Sequence, residues 1–153
     1  MITSTMRSYY SKIQSLKIGW NERPLGESDF YKLCRRFKIT AVEMPLTTNG
    51  FYYCVKGQHY IAIDCKLDRV RKLLVMFHEF AHFLMHAPET NTTASFHGLG
   101  SKTRKEREAD TFALCALIPK TVIANKDISE LVDEGFSNEL LEERFKLYRT
   151  AGI

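Results

Sequence analysis

The stretch DRVRKLLVMFHEFAHFLMH, residues 68–86, decides how this chain is read. Placed on a helical wheel at about 100° per residue with His78 at the origin, Phe77, Phe80, Leu84, Leu73, Met76 and Ala81 share one side. Arg71, Lys72, Glu79, His82 and His86 fall between about 20° and 120° on the other. The spacing predicts a helix over 68–86, ended before Pro88. A helix this apolar is buried, so its single polar stripe faces inward and needs something to satisfy it.

Working outward, the apolar spacing of Phe30, Leu33, Cys34 and Phe37 predicts an amphipathic helix over 29–38, with Ser28 as a cap. Residues 39–44 read as a strand ended by Pro45. Residues 51–55 and 59–65 read as a hairpin joined by Lys56-Gly57-Gln58. Downstream of the 68–86 helix, 103–118 is helical and closed by Pro119. Residues 127–134 and 138–148 form a helical hairpin within 127–150, with Gly135 ending the first helix and Ser137 capping the second. Residues 88–101, rich in Thr, Ser and Gly, read as a mobile loop, and residues 1–25 as an N-terminal extension of uncertain structure. Strands first and helices later make an α+β domain. Its small, mainly antiparallel three-stranded sheet packs on a helical layer that contains the 68–86 helix. The whole of 1–153 is expected to be one domain.

Composition narrows the function. Of 153 residues, 44% are hydrophobic and 26% charged, as in ordinary globular proteins. The net charge of +4 is scattered, without the dense basic stripe and stacking aromatics of a nucleic-acid binder, so no direct nucleic-acid binding is expected. No apolar run is long enough to span a bilayer, and the first ten residues lack the apolar core of a signal peptide. The four cysteines, Cys34, Cys54, Cys65 and Cys115, form no Cys-x-x-Cys pair. They read as reduced core residues of a cytoplasmic protein.

The chemistry lies in His78-Glu79-Phe80-Ala81-His82. Two imidazoles at i and i+4 sit about 40° apart and about 6 Å along the axis, and converge on one tetrahedral Zn²⁺. Glu79, about 100° round from His78, borders that ion without ligating it and can take a proton from water acidified by it. A catalytic zinc wants a third protein ligand and one open position. The next helix offers Glu106 and Glu108. Its apolar stripe is Ala109, Phe112, Ala113, Ala116 and Leu117; Glu106 lies within about 50° of the stripe's centre and Glu108 about 110° away. Glu106 is therefore favoured, with Glu108 the runner-up. Asp110, one turn after Glu106, is placed to orient a ligand histidine from behind. His86 lies about 12 Å along the axis from His78, too far to share the ion. His97 is a candidate donor to a tetrahedral oxyanion, against the plainer reading of a loop histidine. His59 is expected to face solvent.

These residues resemble the ImmA/IrrE group of metallopeptidases. The resemblance runs from about Asp29 to about Leu147. It takes in Gly50-Phe51-Tyr52, Tyr60-Ile61-Ala62-Ile63-Asp64, the His78–His82 motif, Glu106-Arg107-Glu108-Ala109-Asp110-Thr111-Phe112-Ala113 and Leu117-Ile118-Pro119. The family usually carries Asn where this chain has Asp110. The resemblance implies a gluzincin-like fold, one zinc per chain held by His78, His82 and Glu106, and Glu79 as catalytic acid/base. It also implies a protein substrate, namely a helix-turn-helix repressor or antitoxin partner, and a phage or mobile-element origin. Rival readings are a non-catalytic zinc-containing regulator that binds a repressor, the toxin of a toxin–antitoxin pair, and a deformylase. The upstream Glu-Gly-Cys ligand motif of deformylases does not occur in the sequence.

Overall fold

The computed structural model of the protein describes residues 4–86, 93–95 and 103–153. The described order begins with α1 (Ser4–Ser15) and α2 (Glu27–Arg36), then strands β1 (Ile39–Met44), β2 (Gly50–Val55) and β3 (Gln58–Asp64). It continues with α3 (Arg69–His86), a short strand β4 (Thr93–Ser95), α4 (Arg104–Leu117), α5 (Lys120–Asn125), α6 (Ile128–Asp133) and α7 (Asn138–Ala151). The class is α+β, a small sheet against a helical layer.

The β2–β3 hairpin turns on Lys56 and Gly57, with φ of +50° and +75°, and pairs Val55 with Gln58. Positive φ at both central residues is what a tight type I′ turn requires. In two respects the sheet is richer than expected. β1 pairs in parallel with β3, from Ile39↔His59 to Met44↔Asp64. β4 adds an antiparallel edge to β2 within the segment read as a loop, so the order among described residues is β1-β3-β2-β4. Both pairings join residues distant in sequence, where local patterning carries no signal.

The inner face of the sheet presents Tyr52, Cys54, Ile61 and Ile63, all buried. Against it lies α3, whose Met76, Phe77, Phe80 and Ala81 have no exposed surface. Contact is close at Gly50, where a Cβ would stand 2.6 Å from Cγ1 of Val75 and 2.8 Å from the Ala62 carbonyl oxygen. Only a residue without a side chain lets β2 start there.

The N-terminal segment is integral to the core. Met6 and Ile13 of α1 are buried, as are Leu16, Trp20 and Leu25 beyond it. The Trp20 indole stacks on Phe112 and donates from Nε1 to the Phe112 carbonyl at 3.0 Å. Arg144 of α7, fully buried, donates to the carbonyls of Ile118 and Ile153 and to Oδ1 of Asn21 at 2.6, 2.8 and 3.1 Å. It joins three distant stretches of chain, and each hydrogen bond offsets part of the cost of burying a guanidinium.

Helix ends follow the sequence for the most part. Ser137 accepts from the Leu140 amide, and Gly135, at φ +102°, follows α6. At α2 the cap is Gly26, whose amide donates to the Asp29 carboxylate at 2.8 Å, and Ser28 lies inside the helix. No described helix is long and apolar enough to cross a membrane.

Candidate metal centre

Helix α3 delivers His78, Glu79 and His82 to the interior, at 0%, 0% and 3% exposure. Helix α4 packs alongside and brings Glu106 to them. Nε2 of His78 lies 3.0 Å from Oε2 of Glu106, Nε2 of His82 lies 2.9 Å from Oε1 of Glu106, and the two Nε2 atoms are 3.2 Å apart. Ligand atoms about 2.0–2.1 Å from a tetrahedral zinc stand about 3.3 Å from one another. The three side chains thus converge on one point, each histidine meeting a different oxygen of Glu106, and His78, His82 and Glu106 together could hold a metal ion. The α4 entry is fixed by Thr103, whose hydroxyl accepts from the Glu106 amide at 3.1 Å.

Glu79 sits beside this triangle with no exposed surface; among the described residues its carboxyl has no side-chain hydrogen-bond partner, and only the Tyr52 backbone favours its charged form by hydrogen bonding. Burial pushes it up to about 8. A buried carboxyl so poorly hydrogen-bonded is costly unless something polar fills the space next to it. A hydrated cation on the triangle supplies that, so the residues present fit the ion. His78 is raised to about 9: burial works against its charged form, but Asp110 and Glu106 outweigh burial. Glu106 is held well below the usual carboxylate range, since the two imidazoles outweigh its own desolvation.

Behind the triangle the two histidines are supported differently. Nδ1 of His78 lies 2.9 Å from Oδ1 of Asp110, as the spacing of Glu106 and Asp110 anticipated. Nδ1 of His82 lies 2.8 Å from Nδ1 of His86, and Nε2 of His86 lies 3.2 Å from Oε1 of Glu108. Glu108, the runner-up ligand, therefore reaches His86 and not the triangle. Burial, reinforced by His82, lowers His86 to about 3, so the ring is neutral at ordinary pH. Tyr9 of α1 packs edge-on against it, with ring centroids 6.0 Å apart. Sequence reasoning dismissed His86 as a ligand and assigned it no other part. The signal was present: His86 shares the polar stripe and follows His82 by one turn.

Two other expectations change. His59 does not simply face solvent; its Nδ1 is 2.8 Å from the Tyr52 hydroxyl and its ring packs against Phe83. Cys65 is exposed, whereas Cys34, Cys54 and Cys115 are buried. His97 lies outside the described residues, as does most of the segment 88–101.

The model of the IrrE N-terminal-like domain, Peptidase_M78, matches residues 34–147. The chain belongs to the M78 peptidase family. Its match takes in His78, Glu79, His82, Glu106 and Asp110 and leaves α1 and Trp20 outside. An M78 domain is zinc metallopeptidase-like, which agrees with a triangle of two histidines and a glutamate. The chain is also similar to an uncharacterized immunity region protein 2 of Bacillus phage phi105, 36% identical over 100 residues. That alignment covers 63% of this chain and 63% of the relative, so the chain spans under two thirds of the relative's length. No solved structure gives a significant match.

Proposed function

We propose that the protein is a zinc-dependent metalloendopeptidase that cleaves a DNA-binding repressor or antitoxin partner. The observation that carries the reading is the buried Glu79 carboxyl, without a side-chain hydrogen-bond partner among the described residues, beside the His78–His82–Glu106 triangle. A purely structural metal site has no need of such a group.

Zinc, when bound, would polarise a scissile carbonyl and acidify a neighbouring water. His78 and His82 would hold it through Nε2 and Glu106 through its carboxylate, while Asp110 keeps the His78 ring in place from Nδ1. Glu79 takes the proton of the attacking water onto a carboxylate oxygen and passes it to the leaving amine nitrogen. Burial raises this carboxyl, which favours its holding the proton in transit. The phage immunity-region relative supports a repressor as substrate, and the free cysteines suit a cytoplasmic site of action.

The test is co-expression with the helix-turn-helix repressor of the same genetic element, with mass spectrometry of the repressor. Wild type should produce two fragments. Glu79→Gln should retain zinc and lose about 10²–10⁴-fold in cleavage rate. Cleavage by Glu79→Gln at the wild-type rate overturns the assignment. Relief of repression without cleavage, unchanged in Glu79→Gln, makes the protein a regulator that only grips its partner.

A further inference from the structure

We propose that His86 and Glu108 are positioning residues for the metal centre, forming a hydrogen-bonded chain that fixes the tautomer and ring plane of His82. The inference rests on the metal-binding reading above and extends it to two residues outside the triangle.

The proton assignment follows from the partners. Nε2 of His86 lies 3.2 Å from Oε1 of the buried Glu108, and an imidazole N–H donating to a carboxyl oxygen places the hydrogen on that Nε2. A neutral imidazole has one N–H, so Nδ1 of His86 is an acceptor. Nδ1 of His82, 2.8 Å away, must then donate to it. With a cation at the site, that leaves the lone pair of His82 on Nε2, the atom that faces Glu106 at 2.9 Å and Nε2 of His78 at 3.2 Å. Reversed, the chain would put a hydrogen on Nε2 and close that corner of the triangle to a cation.

The two ligating corners are thus supported by different devices. Behind His78 stands one carboxylate, Asp110. Behind His82 the nearest carboxylate, Glu108, acts through an intervening ring. That ring is held by α1 through Tyr9, so the N-terminal segment, outside the family match, also bears on the site.

The test measures zinc affinity of the full chain by competition with a chromophoric chelator. Circular dichroism of each metal-free variant reports folding. His86→Phe fills the space but cannot accept from His82; affinity should fall about 10–100-fold. His86→Gln restores a carbonyl oxygen that can accept, and should recover most of the loss. Glu108→Leu, which removes the acceptor, should weaken binding about tenfold, and should add nothing further once His86 is already Phe, as expected for two members of one chain. The cobalt-substituted absorption spectrum should shift in His86→Phe and return in His86→Gln. A folded His86→Phe protein that binds zinc within about twofold of wild type overturns the proposal, since this interaction normally carries tenfold or more. So does a full, independent effect of Glu108→Leu in the His86→Phe background. Should His86→Phe not fold, unchanged affinity in a folded Glu108→Leu protein, whose side chain cannot accept from His86, is itself decisive against it. Failure of wild type to bind zinc sinks this proposal and the metallopeptidase reading together. Loss confined to Glu106→Ala sinks this proposal alone.

Discussion

Zinc binding should expel a proton from His78, and the size of the effect can be worked from its surroundings. In the metal-free protein this ring is raised to about 9, because Asp110 and Glu106 outweigh the burial that disfavours its charged form. At pH 7 about 99 in 100 molecules therefore carry the extra proton. A cation on Nε2 must displace it, while the Nδ1 hydrogen stays toward Asp110. Binding at pH 7 should release about one proton from this residue, and the affinity should lie about 100-fold, or about 2.7 kcal/mol, below its high-pH limit. The apparent affinity should climb about tenfold per pH unit from pH 6 to pH 8. Folding stability moves the other way. A histidine raised in the folded state stabilises the metal-free protein fully below about 6.5, and that contribution fades as pH rises through about 9. The thermal shift caused by zinc should therefore widen with pH across that window. Calorimetric titration in two buffers of different ionisation enthalpy counts the protons, and chelator competition at three pH values gives the slope. A release below about half a proton at pH 7, or a flat affinity, would show that His78 does not hold this proton in the metal-free state.

Two further substitutions test the frame around the site. Gly50→Ala would push a methyl group to 2.6 Å from Val75 and 2.8 Å from the Ala62 carbonyl. The expected loss is about 1–3 kcal/mol, read as a lower urea midpoint at unchanged slope; an unchanged midpoint would mean that β2 and α3 are not in close contact there. Trp20→Phe removes the 3.0 Å hydrogen bond to Phe112 and leaves that carbonyl without its indole donor. Stability should fall by about 1–3 kcal/mol, with zinc affinity of the folded protein unaltered.

The parts of this molecule that could be read directly from sequence are those whose geometry is local. His78 and His82 are one helical turn apart, so their convergence follows from helix geometry alone. Choosing Glu106 over Glu108 needed only the apolar stripe of its own helix. What escaped depended on distant partners. The parallel β1–β3 pairing leaves no local trace. Helix α1 was missed although Met6, Tyr9 and Ile13 keep helical spacing, because serines and other polar residues dominate the rest of it. The link from His86 to Glu108 crosses between two helices. A histidine judged only as a ligand or a bystander leaves no room for a role as support.

Glu106 stands in the opening turn of α4, and its amide is secured by a single hydroxyl, that of Thr103. The first turn of a helix is where amides lack partners and where fraying begins. The two imidazoles, by contrast, project from the middle of a buried helix. Two corners of the triangle are therefore as durable as the core, while the third is only as durable as one capped turn. The lifetime of a bound ion should be governed by the breathing of that turn, well short of global unfolding.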